Sequence, residues 1–221
     1  NAIILTMYLC KERFDWYTMV TDKWLNSGVA TIYILNSCVN SEELPERITK
    51  HRLFGGHILV PQKEKEEKVN LSRKELKALE CPWMKQRILL GPPTNFELDS
   101  LSGLIELDIW EAISAHSLVF KLTGKYFSLK LAEYISEQRD QFLYVQSRVG
   151  KFGRACEVFG CPGNNFSALI SSMFNSSYNK LEQRLNMEVK HSNMNVKVMP
   201  TFHLGIGERV RRSDGKELES L

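Results

Sequence analysis

Residues 116–127 read HSLVFKLTGKYF. Leu118, Val119 and Phe120 form a short apolar run suited to a buried strand, and Lys121-Leu122-Thr123-Gly124-Lys125 follows as a polar turn. The stretch before it, SGLIELDIWEAISA over 102–115, reads as a helix. A helix feeding a central strand that opens into a glycine-bearing turn marks where many α/β sheets hold their ligand. This turn brings two lysines and no acid to that place, and an account of its ligand has to explain both.

Outward from this stretch, strand and helix patterns alternate. Ala2-Ile3-Ile4-Leu5-Thr6 predicts a buried first strand. Residues 15–28, DWYTMVTDKWLNSG, place Trp16, Met19, Val20, Lys23 and Trp24 at helical spacings and stop at Asn26-Ser27-Gly28. Thr31-Ile32-Tyr33-Ile34-Leu35 predicts a second strand, closed by Asn36-Ser37. This β-α-β order implies a parallel sheet. A further helix is expected over 41–53 and a short strand over 57–60. Residues 62–80 alternate charge signs with little apolar content and predict a solvated surface helix. QRILL at 86–90 returns to the sheet, and GPPTN at 91–95 breaks the chain again. Beyond the central stretch come a helix over 128–138 and a strand over 141–145, then the glycine-punctuated RVGKFGRACEVFGCPGNN. A helix over 165–186 and a strand over 195–199 follow, and the tail HLGIGERVRRSDG is basic.

Composition bounds the function classes. With 221 residues, 43% hydrophobic and 25% charged, the chain suits one globular domain with a sizeable core. A formal charge of +3 does not by itself argue for nucleic acid, and none is expected as a partner. No apolar run approaches the length of a membrane span, and no secretory h-region is present. Cys10, Cys38, Cys81, Cys156 and Cys161 form no CxxC pair, so neither a zinc site nor a disulfide framework is indicated. A reducing, cytoplasmic location is the expectation. The sequons at Asn70, Asn165 and Asn175 carry meaning only in a secreted protein. The chain begins on Asn, as a fragment or a trimmed product would. A Walker loop is absent, and GIGERV lacks the strand-to-helix context of a dinucleotide fingerprint.

The order of elements, with the phrases AIILT, TIYILNS, SGLIELDIWEAISAHSLVFKLTGKYF and ACEVFGCPGNNF, resembles a small GT-A glycosyltransferase. The enzymes it is similar to build capsular, lipopolysaccharide or viral surface glycans. The resemblance implies a single Rossmann-like α/β domain over 1–221 with a mixed, mostly parallel sheet flanked by helices. About 1–127 would bind a nucleotide sugar, and about 128–221 would bind a glycan or glycoconjugate acceptor and carry the basic tail. The activity implied is hexosyl or pentosyl transfer from a nucleotide-diphosphate sugar.

One departure shapes the site expectations. GT-A enzymes usually end the central strand on an Asp-x-Asp that holds a divalent metal, and here the place reads Leu122-Thr123-Gly124-Lys125. A hard cation wants several oxygen ligands, so no metal and no other cofactor is expected. The negative charge on the leaving diphosphate must then be met otherwise. Lys125, with Lys121 behind it, would supply a point cation beside Thr123 and the Gly124 N–H. On the plainer reading Lys121 points outward and Lys125 is a solvated turn residue. His203, Arg209, Arg211 and Arg212, around the hinge-like Gly205-Ile206-Gly207, would complete a clamp, or simply form a soluble basic tail. Thr6, Asn36 and Ser37 would line the crevice for base and ribose, or merely end their strands. Asp99 reads as a helix cap, and Trp110 and Phe159 as core rather than as sugar-stacking aromatics.

An inverting transferase also needs a base, and Glu157 is the candidate. It lies among Ala155, Cys156, Val158 and Phe159 beside glycine-rich turns, where desolvation favours a proton acceptor of useful strength. The resemblance also puts an acceptor-side acid there; the alternative is an exposed face of a strand. Two other classes stay open: another nucleotide-using transferase, and a non-catalytic nucleotide- or polyanion-binding module.

Overall fold

The computed structural model describes residues 1–9, 11–38, 41–60, 93–147, 149–150, 153–178, 180–191 and 193–202. Strand β1 (Ala2–Met7) is buried along its whole length, as a near-continuous apolar run between helices should be. Helix α1 (Phe14–Ser27) follows, ending at Gly28 in the left-handed region (φ 74°), where the Gly28 N–H caps the Leu25 carbonyl. Strand β2 (Thr31–Asn36), the short helix α2 (Glu46–Thr49) and strand β3 (Phe54–Leu59) complete the first part. Next come α3 (Pro93–Leu104), α4 (Ile109–Ser114), β4 (Leu118–Thr123) and α5 (Leu129–Glu137). The chain continues through β5 (Leu143–Gln146), the ribbon β6 (Val149–Gly150) and β7 (Gly153–Arg154), and β8 (Val158–Pro162). Helices α6 (Gly163–Asn175) and α7 (Leu181–His191) lead to β9 (Val196–Met199).

Seven strands form one sheet in the order β3-β2-β1-β4-β8-β5-β9. Strands β1, β2, β3 and β4 are parallel, β8 runs antiparallel to both neighbours, and β5 and β9 are parallel to each other. This is the mixed, mostly parallel sheet flanked by helices that the resemblance implied. Strand alternation sends side chains to two cores. Ile3, Leu5, Ile32, Ile34, Leu118 and Phe120 pack with Trp24 of α1 and Leu131 of α5 on one face. Ile4, Tyr33, Leu35, Val119 and Phe159 pack with Leu101 of α3 and Phe166 and Ile170 of α6 on the other.

Several boundaries differ from the sequence reading. The polar turn expected from Lys121 begins later, because Lys121 and Leu122 belong to β4. The break expected at 91–95 gives way to helix from Pro93, since proline is tolerated in a first helical turn. The helix expected over 102–115 is two helices, separated where the Glu106 and Leu107 N–H groups tighten onto the carbonyls three residues back. The helix expected over 165–186 is likewise two. The Arg184 guanidinium donates to the Met173, Phe174 and Tyr178 carbonyls and so secures the turn between them. Only Glu46–Thr49 of the helix expected over 41–53 forms, directly after Pro45. The expected surface helix at 62–80 and strand at 86–90 lie outside the described residues.

Gly163 opens α6 where a Cβ would lie 2.3 Å from the His116 carbonyl oxygen and 2.4 Å from that of Ser114. Both are backbone atoms and cannot turn aside. Gly163→Ala is expected to destabilise the protein by about 2 kcal/mol, a fall in Tm of roughly 4–8 °C for a chain of this length. An unchanged melting curve would show that the end of α4, with the link that follows it, can part from α6 to admit a methyl group.

Candidate functional site

Strand order reverses between β1 and β4: β2 and β3 lie to one side of β1, and among the described residues β4, β8, β5 and β9 lie to the other. In an open sheet such a switch point leaves a crevice at the C-terminal strand ends. Thr6 of β1 and Thr123 of β4 pair there, and the turn Gly124-Lys125 follows. The geometry of the sheet thus places Thr123, Gly124 and Lys125 at the C-terminal end of β4, where such a crevice opens.

Lys121 does not face that mouth. It is fully buried, on the same face of β4 as Val119, and its ammonium donates to Glu97 Oε1 at 2.6 Å, the Cys156 carbonyl at 2.7 Å and Thr123 Oγ1 at 3.2 Å. The charge also lies 5.6 Å from the centre of the Phe159 ring. Every proton of the ammonium has an acceptor, and its charge is paired. Neither of the sequence expectations, a phosphate contact or an outward surface lysine, describes it. A buried charge survives only when paired and hydrogen-bonded, and α3 supplies the partner.

Glu97 was not among the sequence candidates. It shares a helical face with Leu98, Leu101 and Leu104, an acid at the head of an otherwise apolar stripe, and that is the signal that could have found it. One carboxylate oxygen, Oε1, accepts from the Thr6 hydroxyl, the Thr123 hydroxyl and Lys121. The hydroxyls of Thr6 and Thr123 are therefore engaged inside the protein. Asn36 is engaged as well. Its Oδ1 accepts from the N–H groups of Leu9 and Cys38, and its Nδ2 lies 3.3 Å from His57 Nε2, so it braces the loops after β1 and β2. Ser37 stays partly open at the end of β2, with its N–H donating to the Met7 carbonyl.

Gly124 is needed for space rather than for an amide contact. Its N–H donates to the Thr6 carbonyl, and a Cβ would sit 2.4 Å from Met7 Cγ. The expected approach of that N–H to phosphate is thus replaced by strand closure.

Lys125 is placed differently from Lys121. It is partly buried and enters no ion pair among the described residues. Burial draws its pKa below the ordinary 10.5, the positive charges of Arg13 and Lys121 add to that, and Glu97 and Glu157 pull back. Arg13, exposed on the turn before α1, is a second cation at this mouth that the sequence reading passed over. The turn itself is held rigidly. Trp16 Nε1 donates to the Lys125 carbonyl at 3.0 Å, and Trp24 Nε1 donates to the Tyr126 carbonyl at 2.8 Å. Two indoles of α1 fix consecutive carbonyls, so the Lys125 side chain projects from a preorganised base.

Glu157 stands across β4 from this turn, immediately before β8. Its carbonyl accepts from the Thr123 N–H at 2.8 Å, while its Oε2 is buried with no hydrogen-bond partner. Glu182 Oε2 and the Tyr134 hydroxyl are left in the same way elsewhere, so what distinguishes Glu157 is its place beside the end of β4. Burial pushes the Cys156 and Cys161 thiols up, which leaves both protonated and poor nucleophiles at neutral pH. Phe159 is fully buried and stacks on Phe166, which also meets Trp110, so these rings are core. Asp108 and Glu111 are exposed on and beside α4. The residues at the end of β4 do not fit an Asp-x-Asp metal site, and no group of three His, Cys, Asp or Glu side chains among the described residues is arranged to hold a metal. His203, Arg209, Arg211 and Arg212 lie outside the described residues. Among the described residues no helix is long and apolar enough to cross a membrane.

No protein-family model matches the chain. No curated protein matches it in sequence. Among solved structures it is similar to the glycosyltransferase GlyE of Streptococcus pneumoniae TIGR4 at 12% identity and a TM-score of 0.44, over 89% of this chain and 44% of that one. The apo form of GlyE gives 12% identity and 0.47, over 89% and 45%. A glycosyltransferase involved in the glycosylation of the major capsid of PBCV-1 gives 9% identity and 0.39, over 90% and 80%. The chain spans less than half the length of GlyE.

Proposed function

We propose that the chain is a glycosyltransferase that moves a hexosyl or pentosyl group from a nucleotide-diphosphate sugar to a hydroxyl of a glycan or glycoconjugate. The observation that carries this reading is a pair of groups of opposite sign at the switch-point crevice. Lys125 projects from a braced turn, and Glu157 presents an unsatisfied carboxylate oxygen; neither is in an ion pair among the described residues. The acceptor oxygen bonds to the anomeric carbon as that carbon's bond to the diphosphate oxygen breaks. The nucleotide diphosphate leaves with the electron pair, and the hydroxyl proton passes to Glu157. Lys125, supported by Arg13, meets the negative charge that grows on the leaving group. Ser37 and the strand ends braced by Thr6 and Asn36 border the nucleoside, within a donor half over about 1–127. The acceptor lies against about 128–221, and His203, Arg209, Arg211 and Arg212 add to the phosphate clamp by their chemistry.

The test is a panel of nucleotide sugars scored for hydrolysis and transfer, each with and without a chelator. Turnover with at least one donor, undiminished by chelation, is the expected result. Nucleoside diphosphates should also raise the melting temperature where oligonucleotides do not. Activity that disappears with a chelator and returns with Mn²⁺ or Mg²⁺ would overturn the metal-independent step. Stabilisation by oligonucleotides alone would replace the transferase reading with polyanion binding.

A further inference from the structure

We propose that the buried Lys121–Glu97 pair is a positioning device that sets Glu157 against the donor turn; its kinetic part rests on the transferase reading above. Three consecutive residues leading into β8, Cys156, Glu157 and Val158, are held at the backbone from elsewhere. Lys121 donates to the Cys156 carbonyl, the Thr123 N–H donates to the Glu157 carbonyl, and the Val158 N–H donates to Gln146 Oε1 at 3.0 Å. Those contacts come from the body of β4, from its end and from β5. On the far side of the ammonium, Glu97 Oε1 gathers Thr6, Thr123 and Lys121, and so ties α3 to the ends of β1 and β4. One chain of bonds therefore runs from α3 through the crevice floor to the residue before Glu157.

Stability alone does not account for this arrangement. Lys121 is fully exchanged from water into an apolar face beside Val119 and Phe159, and a buried ion pair is commonly no more stabilising than apolar residues of similar volume. What a methionine in its place would not do is fix the Cys156 carbonyl. Directional bonds fix geometry where packing tolerates drift, and a misplacement of about 1 Å at a reacting group is worth orders of magnitude in rate. Glu157 is held by its backbone while its Oε2 stays unsatisfied, the combination a positioned proton acceptor requires.

The test compares wild type with the double variant Lys121→Met/Glu97→Gln, which removes both charges together, by amide hydrogen exchange and by steady-state kinetics. The double variant is expected to melt cooperatively and to keep the protection of the β1 amides. The Thr123 and Val158 amides are expected to exchange about tenfold faster, the equivalent of one lost charge-assisted hydrogen bond. With a donor sugar, kcat should fall by at least about tenfold while the donor KM changes little, the split expected of a group acting on the transition state. Unchanged exchange and unchanged kcat would overturn the proposal and leave the pair as core filling. Faster exchange with unchanged kcat would uphold the positioning and sink Glu157 as the base, which separates this inference from the functional reading. If the double variant does not fold, Glu97→Gln and Glu97→Ala carry the same contrast. Glutamine keeps an acceptor oxygen and should preserve protection at Thr123 and Val158, whereas alanine should lose it; equal behaviour of the two would overturn the proposal.

Discussion

Lys125→Ala is expected to lower sugar transfer by roughly 100- to 1,000-fold, the usual effect of deleting one preorganised contact to a developing negative charge. The substitution leaves the fold in place, because the bond that anchors this turn uses the Lys125 carbonyl, not its side chain. Binding of uridine or guanosine diphosphate should weaken as well, since the charge is present before reaction. Lys125→Arg should restore only part of the rate, because a planar fork and a point charge fill different space. A pH signature accompanies this. Burial and Arg13 disfavour the charged form of Lys125 in the folded chain, so its pKa lies below 10.5. In the unfolded chain the lysine still holds its proton where the folded protein has lost it, so the free protein gains stability as pH rises through that window. Diphosphate affinity runs the other way and falls as the ammonium is lost. Melting curves with and without nucleoside diphosphate, taken upward toward pH 10.5, should converge; curves that keep a constant separation would remove Lys125 from the contact.

The contrast between the two lysines marks where sequence reading succeeds and where it stops. Apolar runs gave β1 and β2 nearly to the residue and the first half of β4, because a strand buried on both faces has a local signature. Lys121 broke the run at 118–120 and was read as the start of a turn, since a lysine inside a buried strand is rare unless paired. Its partner, Glu97, lies on a helix that GPPTN seemed to exclude, and no local pattern joins residues 97 and 121. Asn36 shows the same limit. Asparagine at a strand end was legible, but the bond its side-chain oxygen accepts from the Leu9 N–H depends on where the loop after β1 returns. The antiparallel β8 hid among glycines: Gly160 lies opposite Phe120, and a Cβ there would meet the ring at 2.4 Å. Close approach removed the side chain that would have announced the strand. Lys125 and Glu157 stand out in the sequence because a charged residue at a turn or a strand end has no packing reason to be there, and the roles proposed for them rest on the kinetic tests of their variants.

Glu157→Gln is the sharper test of mechanism, because it changes one atom's chemistry and almost nothing else. The amide has the size of the carboxylate, and the Thr123 N–H bond goes to the Glu157 carbonyl, which the substitution leaves alone. Donor binding is therefore expected to stay near wild type, with uridine or guanosine diphosphate affinity changed by less than the roughly tenfold that 1.4 kcal/mol represents. Transfer should fall by about 100- to 10,000-fold, the range over which positioned general bases act. The buried Oε2 supplies an independent stability readout. An unsatisfied carboxylate oxygen is a burden to the folded state, and a neutral amide lightens the charge that must be desolvated there. Glu157→Gln should thus melt no lower than wild type while losing transfer, the reversal expected when a group is kept for chemistry at the expense of stability. Lost stability with retained turnover would mean that the carboxylate serves the fold, and the proton acceptor would have to be sought elsewhere on the acceptor side of the crevice.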